Sequence, residues 1–159
     1  MVIFETPFAN ILHLNNTNTL VTKWLEKPDN AAFVETYGAL LQYVTENHLV
    51  RLYCTDLTSI GSLTREQEAW LSLEFYQKAY NIIKAVCYVA VVFSEGHFRA
   101  IVSNYQLPAA LPPPNYVQLN YFTDQEEALH WLESIKEGQD ATLLQPFPDL
   151  LKSSNRYIL

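Results

Sequence analysis

The stretch from Leu49 to Ile83 constrains the fold more than any other. Leu49-Val50-Arg51-Leu52-Tyr53-Cys54-Thr55-Asp56-Leu57 is a strand-like apolar run, Thr58 to Leu63 is a short polar loop, and Thr64-Arg65-Glu66-Gln67 opens a helix that runs to Ile83. Thr64-x-x-Gln67 is a capping box: hydroxyl and amide each satisfy a backbone N–H that the first helical turn leaves without a partner. A buried strand thus feeds a hydroxyl-bearing loop at a helix mouth, a common place for an α/β protein to keep its site. At 100° per residue, Leu71, Leu73, Phe75, Tyr76, Ala79, Tyr80, Ile82 and Ile83 share an arc of about 200°. Trp70 falls outside it, among Glu66, Glu74, Gln77 and Asn81, where it either covers a neighbouring loop or presents an exposed ring to a partner.

The flanking chain extends this pattern on both sides. Val2 to Glu5, Ile11 to Leu14 and Thr19 to Leu25 read as extended segments, with Asn15-Asn16-Thr17-Asn18 as the turn of an antiparallel hairpin or meander. Leu20, Thr22 and Trp24 alternate with Val21 and Lys23, so one face of that arm is expected to be buried and the other half wet. Pro28-Asp29-Asn30 opens a helix whose apolar face is Phe33, Tyr37, Leu40, Leu41 and Val44, and Asn47-His48 closes it. Lys84 to Phe93 is apolar almost throughout, as expected of a central strand covered on both faces.

Ser94-Glu95-Gly96-His97 is expected to turn the chain, and Phe98 to Leu107 to form a short helix, with or without a strand-like end. Pro108 and Pro112-Pro113-Pro114 then make a stiff connector. Tyr116 to Phe122 alternates as an edge or penultimate strand. Thr123-x-x-Glu126 reads as a second capping box, before a helix that buries Ala128, Leu129, Leu132 and Ile135 and is expected to stop at Gly138. The order β-β-α-β-α-β-α-β-α predicts an α/β domain over residues 1–138, with a mixed sheet of about five strands, parallel inside and antiparallel at the first hairpin. Residues 139–159 are expected to be a tail, docked on the domain or disordered.

Charge and cysteine usage narrow the classes of function. A formal net charge of −7 with only ten Lys and Arg argues against a broad basic face for nucleic acid or anionic membrane. Cys54 and Cys87 fall in strand-like runs without motif spacing, which suits two reduced, buried thiols in a cytoplasmic protein. The N-terminal residues lack the features of a signal peptide. The longest apolar run, Ala85 to Phe93, is well short of the roughly 20 residues that cross a bilayer.

Asp56-Leu57-Thr58 after a buried strand, Ser62-Leu63-Thr64 opening a helix with Glu66-Gln67-Glu68-x-Trp70-Leu71, and Glu126-Glu127-Ala128-Leu129-x-Trp131-Leu132 near the end together resemble bacterial STAS-like proteins. These are relatives of the anti-sigma-factor antagonists, the SpoIIAA-like group. The resemblance spans Ile11 to about Ile135. It implies a mixed sheet with packed helices, a non-enzymatic role in protein recognition and, in the antagonist branch, a phosphorylatable Ser or Thr at a helix mouth. That branch carries Asp-Ser-Ser-Gly or Asp-Thr-Ser-Gly there; this chain has Ser59, Ser62 and Thr64 with Gly61 displaced, so the switch does not transfer directly.

The candidate recognition or phospho-switch loop is therefore Asp56, Thr58, Ser59, Ser62 and Thr64, with Trp70 as a candidate interface residue. Phosphate on Ser62 would meet free N–H donors and the positive end of a helix dipole; the plainer reading makes Thr64 a cap and Ser62 a turn residue. The chain is accordingly expected to be a non-catalytic regulatory module with a protein partner or a second copy of itself.

The alternative is a small apolar ligand or lipid held in a cavity lined by Tyr76, Tyr80, Tyr116 and Tyr121. An enzyme built on Asp56, Ser62 or Cys54 ranks last, because Cys54 and Asp56 share one strand face and a neighbouring carboxylate raises a thiol pKa. His13, His48, His97 and His130 are scattered, so no metal site is expected. Four glycines, none clustered, make no phosphate cradle, and no cofactor is expected. Glu66, Glu68 and Glu74 read as a solvated face that complements the helix dipole.

Overall fold

The computed structural model describes residues 1–103 and 115–144. Six strands form one sheet in sequence order: β1 (Val2–Glu5), β2 (Ala9–Leu14), β3 (Thr19–Trp24), β4 (Leu52–Asp56), β5 (Cys87–Val92) and β6 (Val117–Phe122). The first three strands pair antiparallel and the last four, from β3 on, pair parallel. The sheet is therefore mixed, as expected, but has six strands rather than about five. The short Val2–Glu5 segment pairs antiparallel with β2, so the three extended segments form a meander rather than a single hairpin.

Four helices complete the described fold: α1 (Asn30–Glu46), α2 (residues 65–83), α3 (Glu95–Ser103) and α4 (Gln125–Leu144). Each parallel step moves one strand further along the sheet, and crossovers of constant hand keep successive helices on one side. α1 and α2 pack against each other there, over a core built around Trp24, Phe33, Tyr37, Phe75 and Leu20. α4 follows the last strand and covers the opposite face, against Val21, Leu52, Cys54, Ala90 and Val92. β3 is consequently buried on both faces, Val21 and Leu20 alike being about 1% exposed, where alternation alone leaves one face half wet. Val21 belongs to the same core cluster as Ala128 and Leu132 of α4, more than a hundred residues further along the chain.

Capping matches the sequence at α1 and α2. Asp29 accepts from the Ala32 N–H at 2.7 Å. Thr64 and Gln67 form the reciprocal box, with both bonds at 3.1 Å. The buried Gln67 amide also donates to the Pro28 carbonyl, tying the mouth of α2 to the mouth of α1.

Further on, four expectations are corrected. Ser94 Oγ accepts from the His97 N–H, so Ser94 to His97 is the capped start of α3 rather than a turn before it. The α4 cap is Asp124, which accepts from Glu126 N–H through its carboxylate and from Ala128 N–H through its carbonyl; Thr123 does not form the box. α4 also runs through Gly138 to Leu144, because a helical interior tolerates glycine at a cost of only about 1 kcal/mol. The helix therefore crosses the expected boundary between domain and tail.

The fourth correction concerns Trp70. Residues Leu71–Phe75 form a π-helical turn within α2, closed by the Tyr76 N–H on the Leu71 carbonyl five residues back. In a regular helix Trp70 and Phe75 lie about 140° apart. The wider turn brings them round to one side, where their rings stack with centroids 6.1 Å apart. Trp70 is half-buried against Phe33 and Tyr37 as well, and is neither a lone exposed ring nor a loop cover. The same phase shift accompanies the exposure of Leu73, at 65%, on the outer side. The proline-rich connector at 108–114 and residues 145–159 lie outside the described residues.

Candidate functional site

The recognition loop leaves β4 at its carboxyl end. Asp56 is 3% exposed, and its carboxylate accepts from both the Thr58 backbone N–H at 2.9 Å and the Thr58 hydroxyl at 2.6 Å. This local turn uses the acid to fix the loop's first residues. The chain then folds back through backbone bonds from Ile60 and Gly61 to the Leu57 carbonyl, buries Ile60, and passes Gly61 at φ 75°, a left-handed position that glycine occupies without strain. At the far end Thr64 is committed to its cap. Of the five candidate residues, Asp56, Thr58 and Thr64 therefore hold the loop in shape through side-chain hydrogen bonds, while Ser59 and Ser62 are exposed residues of the same loop.

Cys54 is buried on the α4 face of β4, and burial, with Asp56 nearby, pushes its thiol up to about 12. Cys87, on the other face, is pushed up to about 11 by burial. Both thiols are free and buried, and both stay protonated at neutral pH, which leaves them poor nucleophiles. Among the described residues no group of three or more His, Cys, Asp or Glu could hold a metal ion. His13 bonds to Tyr43 and Asn18 within the fold. No helix of the described residues is long and apolar enough to cross a membrane.

Beneath α2, on the sheet face away from Cys54, lie two adjoining cavities of about 80 and 40 Å³. Tyr37, Thr55, Tyr76 and Val89 line both and form the partition between them. The larger lies toward the carboxyl ends of β4 to β6 and reaches Leu57 and Leu63 at the two ends of the recognition loop. The smaller lies toward the other end of the strands, where Tyr80 stacks on Tyr116 with ring centroids 4.3 Å apart. The four tyrosines expected to line a cavity all do so: Tyr121 in the larger, Tyr80 and Tyr116 in the smaller, and Tyr76 in both.

Polar groups converge on the larger cavity from Thr55, Glu68, Ser72, Tyr37, Tyr76 and Tyr121. Burial pushes the Tyr37 hydroxyl up to about 12, an effect partly offset by the neighbouring Trp24 and Thr55 side chains. Tyr76 is raised further, first by burial and then by the charges of its neighbours, Glu68 among them; Tyr121 is raised by burial and by Glu68. All three phenols remain neutral donors at physiological pH.

Glu68, Thr55 and Ser72 are the residues that sequence patterning did not single out. Glu68 looked like a dipole-complementing acid of a solvated face. Thr55 carried a usable signal, since β alternation places it opposite Cys54 and Asp56. Ser72 reaches the cavity from within the π-helical turn, which residue periodicity does not reveal.

Comparison of the chain with protein-family models, with curated proteins and with solved structures finds no significant match.

Proposed function

We propose that this chain is a cytoplasmic, non-catalytic regulatory module of the STAS-like type, which engages a protein partner or a second copy of itself through the loop from Thr58 to Thr64. The observation that carries this reading is the division of labour within the loop. Three polar residues are consumed in fixing its shape, and Ser59 and Ser62 are left exposed on a backbone anchored at both ends. A preorganised loop loses little conformational entropy on binding, which is the property a recognition element needs. Two buried, unpaired cysteines suit a reducing compartment. Phosphopeptide mapping of the protein from its native cells tests the switch: phosphate is expected on Ser59 or Ser62 and not on Thr58 or Thr64, whose hydroxyls are engaged. An unmodified loop under every growth condition would remove phosphorylation from the reading.

A second reading, a ligand-binding module, is favoured by the paired cavities under α2. At about 80 and 40 Å³ they are well below the roughly 300–1,000 Å³ of drug-sized sites. The occupant is accordingly a small molecule and not an acyl chain. Native mass spectrometry of the freshly purified protein should retain a small adduct, and a bare mass together with water-filled cavities would count against it.

A further inference from the structure

We propose that the smaller cavity under α2 binds a small uncharged molecule, apolar except for one oxygen that accepts from Thr22, an inference that rests on the ligand-binding reading above and names its ligand class. Thr22 lies on β3, is 3% exposed and lines this cavity. Other polar groups of the wall are used within the fold. The Tyr53 hydroxyl donates to the Val50 carbonyl at 2.8 Å and the Cys87 thiol to the Ala85 carbonyl at 3.7 Å. Thr55, opposite Thr22 on the neighbouring strand, is engaged with Tyr37. The Thr22 hydroxyl has no hydrogen-bond partner among the described residues. A buried hydroxyl in that state is unfavourable, and a ligand oxygen in the cavity would satisfy it.

The rest of the lining sets the charge and size of the occupant. Among the described residues no Asp, Glu, Lys, Arg or His lines this cavity, so an ion would leave water for a wall without a counter-charge. Leu40, Val44, Ala79 and Val117 give the wall an apolar surface. Waters, each needing about two to four polar partners, suit such a wall less than a molecule with methyl groups. At roughly 10–15 Å³ per enclosed water, a cavity of about 40 Å³ takes about three to four heavy atoms. Entry is at the end where Tyr80 stacks on Tyr116, since both rings line the cavity and Tyr80 is 39% exposed. The stacked pair thus stands between the cavity and solvent.

The test is an NMR titration of the full chain with acetone, a molecule of this size with one acceptor oxygen, and in parallel with sodium acetate, its charged counterpart of equal heavy-atom count. Saturable shifts are expected for acetone at the methyl resonances of Leu40, Val44, Ala79 and Val117, which line the smaller cavity and not the larger. Acetate should bind at least about tenfold more weakly. Thr22→Val, which keeps the shape and removes the hydroxyl, should weaken acetone by about threefold to tenfold and melt no lower than the parent. Ala79→Leu fills the cavity and should abolish the shifts at Leu40 and Val117. Thermal melts of both variants establish that they fold. If acetate binds as tightly as acetone, or if folded Thr22→Val binds acetone as the parent does, the inference is overturned. Acetone shifts confined to Val91 and Leu119, which line only the larger cavity, overturn it as well and leave the ligand-binding reading standing. If neither set shifts, the inference fails, and the reading fails with it where the native mass spectrum is also bare.

Discussion

The fully buried cores on the two faces of the sheet differ in kind, small and aliphatic under α4, where Tyr88, Phe122 and Trp131 are only partly buried, and largely aromatic under α1 and α2, where both cavities described above lie. Under α4, Val21, Cys54, Ala90, Val92, Ala128 and Leu132 interlock, most of them at 0–1% exposure. Under α1 and α2 the filling is aromatic: Trp24, Phe33, Tyr37, Trp70 and Phe75 meet at mixed angles with centroids 4.9 to 6.2 Å apart. Small aliphatic groups adjust to close the space between a helix and a sheet. Rings are rigid plates that prefer offset or edge-to-face contact, and plates at mixed angles leave gaps between them. The face with the aromatic core is thus the one on which the two cavities lie.

The largest test of this contrast removes a side chain from the close-packed face. Leu132→Ala should cost about 2–5 kcal/mol, toward the upper end because neighbours packed this closely relax little into the void; urea unfolding of parent and variant measures it. A smaller effect comes from adding volume on adjacent residues of one strand. Ala90→Leu, on the α4 face and fully buried, should cost about 1–3 kcal/mol by overpacking. Val89→Leu projects into the cavities on the other face and should stay within about 0.5 kcal/mol of the parent. Equal losses for the two would mean that the aromatic face is as full as its counterpart.

The least perturbing test uses the two thiols, one on each face. An unfolded thiol ionises near 9.0, whereas burial holds Cys54 near 12 and Cys87 near 11 in the fold. A folded-state pKa raised in this way leaves stability at its full value below pH 9, and the contribution is lost as pH rises from there through 11 to 12. Alkaline unfolding followed by circular dichroism should therefore begin above pH 9, and a disulfide exchange reagent at pH 8 should label neither cysteine in the folded chain. On raising the pH, Cys87 should react before Cys54. The reverse order would place the tighter packing on the aromatic face.

Much of this architecture was legible in the residues, and for local reasons. Asp29, Thr64 and Gln67 cap helices through bonds that span three residues, so their pattern is short enough to read directly. The apolar run at β5 and the helical faces through Phe33 and Leu132 follow from the periods of strand and helix. The four cavity tyrosines were accessible only as a surplus of aromatic residues, and Tyr80 among them is 39% exposed. Trp70 was not, because a single π-helical turn shifts the phase of α2 and no residue type marks that turn. Gly138 was misleading in the opposite direction, since a glycine that can end a helix need not do so.

By itself, then, the sequence determined the alternation of strands and helices, the capped entry to α2 and the hydroxyl-bearing loop, all set by interactions between near neighbours in the chain. Tertiary structure alone decided that Val21 of β3 joins the core under α4, that Glu68 lines a cavity, and that Cys54 and Asp56 lie on the other side of the sheet from that cavity. These depend on which face each crossover covers and on how rings settle against one another. Such choices are made between segments far apart in sequence, where no local period records them.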